Sequence, residues 1–363
     1  MVVDDSAVAR GFIRRWVERE PGIEIASSLR TGCEALDYID RIDPDVVVLD
    51  VDMPDMDGIT ALPLLLKKKP GLAVIMASTL TRRDAEVSLR ALTLGALDCM
   101  QKPDAQGAIS SEAYRHNLIS KIRELGTRAR RKAGHDLPAS DTDPAAHGPA
   151  RLPVLPGRKP IALRPAPRIA PRVLVIGSST GGPQALTQMC ERLGPVIDQA
   201  PVIITQHMPP TFTTVLAEHL ARATGRSTRE AEDGEPIRAG HIYVAPGSRH
   251  LRIARIAGQA VAALDDGPPI HFCKPSVDAL FSSAAEVWGA WVLGVILTGM
   301  GSDGTQGGAD IVDAGGAIFA QDEATSVVWG MPGSAAEAGL CSSILPIGDI
   351  APAVSRLFLG RRI

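Results

Sequence analysis

Short apolar runs recur along the chain, and the stretches between them place apolar residues at helical spacing. In the first third, residues 2–3, 23–26, 46–49, 73–77 and the weaker 97–100 read as strands. Helix-like stretches separate them. One starts at Ser6, a side chain suited to capping a helix, with Val8, Phe12 and Trp16 on one face. Five strand–helix units in about 120 residues predict a parallel sheet covered on both faces. The pattern restarts after residue 171, with apolar runs at 172–176, 202–205, 242–245, 291–298 and 317–320. The expected class is α/β: a flavodoxin-like five-stranded parallel sheet in front of a doubly wound, mainly parallel α/β domain.

Between the halves the character changes. Arg128, Arg130, Arg131 and Lys132 form a basic cluster, and a Pro-, Ala- and Arg-rich stretch follows. Frequent prolines argue for a semi-rigid, extended connection. The expected division is therefore a first domain at 1–124, a linker at 125–171 and a second domain at 172–363. The 363 residues suffice for two cores.

Composition narrows the classes further. The chain is 45% hydrophobic and 22% charged, with a net charge of −3, which points to neither nucleic acid nor an anionic membrane as partner. Its five cysteines are widely spaced and none forms a CxxC pair, which favours a reducing compartment over a disulfide framework. No apolar run approaches the roughly 20 residues of a membrane span, and the start is unlike a signal peptide. The expected setting is the cytoplasm, without membrane insertion, and the expected state a monomer.

The first chemistry lies at strand ends. Asp4 and Asp5 follow the first strand, and Asp50 ends the run at 46–49. Loops after parallel strands meet at the carboxyl edge of the sheet, so these acids converge. Clustered carboxylates suit a hard divalent ion such as Mg²⁺, and one of them can then attack a phosphoryl group. Lys102, followed by Pro103, ends the fifth strand and offers a cation; Ser78 ends the fourth and offers a hydroxyl. The ordered set of Asp4-Asp5-Ser6, Asp50-Val51-Asp52-Met53-Pro54 with Gly58, Ser78 and Lys102-Pro103 resembles the receiver domain of response regulators. The resemblance implies Asp50 as phosphoacceptor. It implies Asp4, Asp5 and Asp50 as Mg²⁺ ligands with the Asp52 backbone carbonyl, and Ser78 and Lys102 as readers of the phosphoryl group. Receivers usually carry an aromatic residue three positions before the lysine; here it is Cys99.

The second chemistry opens with Gly177-Ser178-Ser179-Thr180-Gly181, a strand-to-helix turn of the nucleophile-elbow type. Ser179 would sit at a helix N-terminus, where developing negative charge is favoured. A Gly-rich phosphate-binding turn is the competing reading of those residues. A serine needs a base and the base an orienting acid. His207 follows the run at 202–205 and Asp303 follows that at 291–298, both at strand ends. His219 reads as a helix-surface histidine and His241 lies at the opposite sheet edge. His250 and His271 read as loop residues. The order Ser, His, Asp differs from that of α/β-hydrolases.

These residues carry a second resemblance. Gly177 to Gly182, Gln206-His207-Met208-Pro209-Pro210, Ile242 to Gly247, Pro275-Ser276-Val277-Asp278, Leu297 to Gly304 and Gln321 to Pro332 look like the catalytic domain of the chemotaxis protein-glutamate methylesterases, the CheB family. The resemblance implies Ser179 as nucleophile, His207 as general base and acid, and Asp303 as orienting carboxylate. Thr180 and the backbone near Met300 become oxyanion or substrate contacts. The family's His-His-Arg-Pro-Ser-Val-Asp stretch ends here as Phe272-Cys273-Lys274-Pro275-Ser276-Val277-Asp278, so a substrate-side histidine is replaced. The implied activity is hydrolysis of glutamate γ-methyl esters on chemoreceptor cytoplasmic domains, together with deamidation of receptor glutamines in some members. A chemotaxis histidine kinase would be the phosphodonor, and phosphorylation of Asp50 would relieve occlusion of the Ser179 crevice. No cofactor is expected in the second domain. A non-enzymatic output domain, or a methylesterase acting outside chemotaxis, are the rival readings.

One expectation concerns the start. Only Met1, Val2 and Val3 precede Asp4, where a central strand of five or six apolar residues is expected. Each missing aliphatic would cost roughly 1.5–3 kcal/mol, which suggests a natural start upstream of Met1.

Overall fold

The computed structural model describes residues 1–79, 81–102, 111–132, 161–165 and 169–360. Pro103 and most of the expected linker lie outside these residues. The first unit runs β1 (Val2–Val3), α1 (Ala7–Val17), β2 (Ser28–Leu29), α2 (Gly32–Ile42), β3 (Val46–Asp50), α3 (Gly58–Lys68), β4 (Ala73–Ser78), α4 (Arg82–Thr93), β5 (Asp98–Gln101) and α5 (Ser111–Lys132). Its sheet has the order β2-β1-β3-β4-β5, and every neighbouring pair is parallel. The central β3 and β4 are wholly buried, as runs such as Val46-Val47-Val48-Leu49 require when both faces are covered.

Three local expectations differ from the structure. The second strand pairs at Ser28–Leu29, not at 23–26, because β1 supplies only two residues to pair with: Val2 opposite Ser28 and Val3 opposite Leu29. Met1 is buried and continues the ladder, its ammonium donating to the Val46 carbonyl at 2.8 Å. In α1, Ser6 caps as expected, accepting from the Ala9 amide. The face of Val8 and Phe12 turns outward, however, and Ile13 and Val17 are the core residues. Phe12 and Trp16 stack on one another instead. Finally, α5 continues eight residues beyond 124, because no proline follows Pro103 until Pro138. The basic cluster thus lies on a helix, and Arg130 pairs with Asp45 at 2.9 Å.

The second unit runs β6 (Val173–Ser178), α6 (Gly182–Cys190), α7 (Gly194–Ile197), β7 (Val202–Gln206), α8 (Phe212–Thr224), β8 (Ser227–Glu230), β9 (His241–Val244), β10 (His250–Ile256), β11 (Gln259–Asp265), α9 (Val277–Trp288), β12 (Val292–Ile296), α10 (Thr305–Asp313), β13 (Ala317–Gln321), α11 (Met331–Glu337), β14 (Cys341–Leu345) and α12 (Ile347–Phe358). Seven strands form a parallel sheet in the order β14-β13-β12-β6-β7-β9-β8. The strand order turns at β6, so the carboxyl ends of β12, β6 and β7 flank a topological switch point, where ligands bind in open α/β sheets. The hairpin β10–β11 forms a separate antiparallel sheet. Its turn, Ala257-Gly258, has positive φ at both residues, as a two-residue hairpin turn needs.

The two units are packed together. Gln184 of α6 donates to the carbonyls of Leu92 and Ala96, within and just beyond the end of α4, and Arg82 of α4 pairs with Glu218 of α8 at 2.7 Å. Apolar residues of α4 and β5 join those of α6 and α8 in one continuous cluster. Val328 packs with Tyr114 and Leu118 of α5.

Candidate active site and its control site

At the carboxyl edge of the first sheet, oxygens of Asp4, Asp5 and Asp50 all lie within 4.8 Å of one another. Lys102 Nζ reaches Asp50 at 2.7 Å and Asp4 at 2.8 Å. Burial raises the Asp50 pKa to about 6, against the hydrogen bond and charge of Lys102. Gly58 opens α3 directly under this residue; a Cβ there would run into the Asp50 carbonyl oxygen. Ser78 is buried and its hydroxyl accepts from Ser88 of α4 at 3.1 Å. Asp52 is exposed in the turn after Asp50, and its carboxylate stays outside the acidic cluster. Three clustered carboxylates with one lysine fit a hard divalent cation and the extra negative charge of a phosphoryl group.

Ser179 follows β6 at a turn that only small residues can make. Gly181 has φ +76°, a Cβ on it would meet Val327, and a Cβ on Gly182 would meet the Gln206 side chain. The Ser179 amide donates to the Thr298 carbonyl at 3.0 Å. Gln206 closes β7 with its amide spanning the turn, donating to the Ser179 carbonyl at 2.9 Å and accepting from Ser178 at 2.6 Å. His207, next in the chain, presents Nε2 to Asp303 at 2.7 Å. Nδ1 is then the ring nitrogen left for the serine. Among the described residues no hydrogen bond yet joins the Ser179 hydroxyl to it.

Asp303 is held by the start of α9. Its Oδ1 accepts from the Ser276 hydroxyl at 2.8 Å and the Asp278 amide at 2.9 Å, and its Oδ2 from the Val277 amide at 2.7 Å. Asp278 returns the arrangement at α10, accepting from the amides of Gly304 and Gly307. Each aspartate thus satisfies the orphan donors of the other's helix. Although burial opposes it, His207 and these amides hold the Asp303 carboxyl well below the usual range. Burial would lower the His207 pKa, but the neighbouring Cys273 sulfur and the Asp303 hydrogen bond and charge raise it.

Thr180 and Met300 adjoin the serine. Gly299 packs against Ser179, so Met300 begins the turn beside it. The Thr180 hydroxyl, however, turns to the first unit: it donates to Asp98 of β5 at 2.5 Å and accepts from Lys121 of α5 at 3.3 Å, while Lys121 also pairs with Asp98. His116 of α5 stacks on Phe272 at 5.3 Å. Helix α5 therefore lies over the mouth of the Ser179 site.

Sequence reasoning brought Ser179, His207 and Asp303 to adjacent strand ends, and the structure places them at β6, β7 and β12. It missed Gln206, Ser276 and Thr298 as supports. A polar residue closing an apolar strand was the available signal for Gln206. Asp98 and Lys121 gave no signal, since each reads as ordinary surface charge. His250, expected in a loop, opens β10 and is buried, accepting from the Ser276 amide. His241 opens β9 at the far edge of the sheet, as expected.

An acidic, lysine-countered pocket on one sheet and a serine, histidine and aspartate on the other point to a receiver-linked hydrolase. The comparisons with known proteins agree. A family model described as response regulator receiver domain matches residues 1–113, and one described as CheB methylesterase matches residues 174–354. The chain is 56% identical to the protein-glutamate methylesterase/protein-glutamine glutaminase of group 2 operon of Bradyrhizobium diazoefficiens, over 100% of this chain and 94% of that protein. It is 56% identical to a protein-glutamate methylesterase/protein-glutamine glutaminase of Rhodopseudomonas palustris over the same shares. The crystal structure of the Thermotoga maritima CheB methylesterase catalytic domain is 40% identical, with a TM-score of 0.50, covering 52% of this chain and all of that one. The chain belongs to the CheB family of receiver-linked methylesterases. Among the described residues, no helix is long and apolar enough to cross a membrane.

Proposed function

We propose that this protein is a cytoplasmic protein-glutamate methylesterase that hydrolyses γ-methyl esters on chemoreceptor helices and deamidates receptor glutamines. The observation that carries the reading is the 2.7 Å His207–Asp303 pair at the strand ends beside the Ser179 turn. Ser179 Oγ attacks the ester carbonyl carbon while His207 takes its proton. Backbone donors near Met300, beside Ser179, receive the oxyanion. His207 then protonates the departing methoxide, and methanol leaves; water repeats the sequence to free the carboxylate. With glutamine, ammonia leaves instead.

Asp50 is the phosphoacceptor in this reading, supplied by a chemotaxis histidine kinase. Asp4, Asp5 and Asp50, with the Asp52 backbone carbonyl, would hold Mg²⁺, which supplies charge neutralisation to the phosphoryl group. Lys102 and Ser78 read that group. Ser78 moving to it gives up its bond with Ser88, and Ser88 lies on α4, the helix that packs against the hydrolase. This links the phosphoryl group to release of the α5 cover. The test is turnover on methylated receptor, read as methanol release. Ser179→Ala should cost several orders of magnitude. Activity within tenfold of wild type would overturn the assignment.

A further inference from the structure

The Ser179 site contains a group that ester hydrolysis does not use. Cys273 Sγ, a His207 ring nitrogen and an Asp303 oxygen all lie within 4.8 Å of one another. Cys273 is half-buried, within reach of solvent ions, and its thiol donates to the His271 carbonyl at 3.4 Å. That loop brings a second imidazole close: His271 Nε2 stands 3.5 Å from Asp278 Oδ2. Asp278 is 6% exposed, and its Oδ2 has no hydrogen-bond partner among the described residues.

A thiol, an imidazole and a carboxylate form a donor set that selects zinc over magnesium or calcium. Zinc bonds of roughly 2.0–2.3 Å with tetrahedral angles separate ligand atoms by about 3.3–3.7 Å. The cluster reaches this by a small opening of the His207–Asp303 pair. The carboxylate is already fixed by Ser276 and two amides, the outer support that a metal ligand needs.

We propose that His207, Cys273 and Asp303 form an inhibitory Zn²⁺ site, with water as the fourth ligand. The ion displaces the proton shared by His207 and Asp303, and that proton and the Cys273 thiol proton both leave for solvent. With Nε2 on the metal, the neutral ring carries its one remaining proton on Nδ1, so His207 cannot accept the Ser179 proton. The site thus silences the hydrolase independently of Asp50. As regulation of the active site, the inference rests on the methylesterase reading; as a metal site it does not.

The test uses the full chain, stripped with chelator and titrated with Zn²⁺ in a calorimeter. One ion per chain is expected, with affinity reduced at least about tenfold in Cys273→Ala and Cys273→Ser. Co²⁺ in place of Zn²⁺ should give a thiolate-to-metal charge-transfer band that both variants lose. Zn²⁺ should stop ester hydrolysis reversibly in wild type and not in the variants, each compared with its own rate in chelator. No saturable binding, or binding unchanged in both variants, overturns the site. Cys273-dependent binding in a protein without esterase activity upholds the site and instead sinks the methylesterase reading.

Discussion

Two buried aspartates lie at carboxyl edges of parallel sheets, Asp50 ending β3 and Asp303 in the loop between β12 and α10, and their surroundings push their pKa values apart. Asp50 receives one lysine and one backbone amide, from Val51, and shares its pocket with Asp4. Burial prevails and its pKa rises to about 6. Asp303 receives two amides, a hydroxyl and an imidazole, and stays ionised far below the usual range. A carboxylate with its lone pairs all engaged is a fixed charge that orients a neighbour. One left short of donors in a negative pocket is poised to bond something new, a cation or a phosphoryl group.

The largest effect follows from filling those lone pairs wrongly. In Asp303→Asn one oxygen becomes an NH₂ that must face an N–H donor or the imidazole nitrogen. His207 would lose its fixed tautomer, and kcat should fall on the order of 10,000-fold. Stopped methanol-release assays with circular dichroism as a folding check would read this. A loss under tenfold would mean that Asp303 does not orient the base. Asp50→Asn, by contrast, should remove only the stimulation by a small phosphodonor, read as the ratio of rates with and without it.

The contact between the two sites comes next in size. A coupling of about 1–3 kcal/mol between domain docking and access would hold unphosphorylated activity down about 5–150-fold. A fragment from about residue 170 onward should therefore exceed the full chain by such a factor. Lys121→Ala, which removes the cation joining Asp98 to Thr180, should give part of that gain. Equal activity of fragment and full chain would refute the cover by α5.

How much of this was legible in the sequence follows from the same contrast. Strand-end acids and the glycine-flanked serine announce themselves, because parallel sheets force loop chemistry to one edge and tight turns force glycine. The central strands were visible as unbroken apolar runs. The edge strand β8, Ser-Thr-Arg-Glu, has no apolar run at all, and the β10–β11 turn is Ala-Gly where Asn-Gly would have signalled a hairpin. Val8, Phe12 and Trp16 show helical spacing without revealing which face meets the core. The Asp98–Lys121–Thr180 cluster joins residues up to 82 positions apart through domain packing, which no local pattern encodes.

A smaller effect tests the poise of Asp50. A carboxyl with a pKa near 6 must shed its proton before it can hold a cation, so protons compete with Mg²⁺ below that pH. Mg²⁺ affinity should be flat above about pH 7 and fall about tenfold per unit below 6. Calorimetric titrations at pH 7.5 and 5 would measure it. Equal affinities would remove Asp50 from the cation site.

The smallest effect comes from Asp278, which complicates the rule of counted donors. It accepts from two amides, yet its pKa rises to about 6, because burial and the adjacent Asp303 charge outweigh them. Donors suffice for Asp303 because the His207 imidazole is hydrogen-bonded to it; Asp278 faces the more distant, exposed His271. The sign of the stability effect follows. The folded pKa lies above the unfolded value of 3.8, so the contribution is intact below about pH 4 and is lost as pH rises through 6. After allowance for solvent screening the loss is about 1 kcal/mol, a factor of about five in the folding equilibrium. Asp303, with its depressed pKa, works oppositely and costs stability only in strong acid. Asn at position 278 keeps the oxygen that faces Gly304 and Gly307 and cannot ionise. Denaturant unfolding of wild type and Asp278→Asn between pH 5 and 7.5 should therefore diverge, with the wild type weakening relative to the variant as pH rises. Parallel curves would show that Asp278 keeps its proton throughout this range, or never binds one, and that the His207 charge is not what separates it from Asp303.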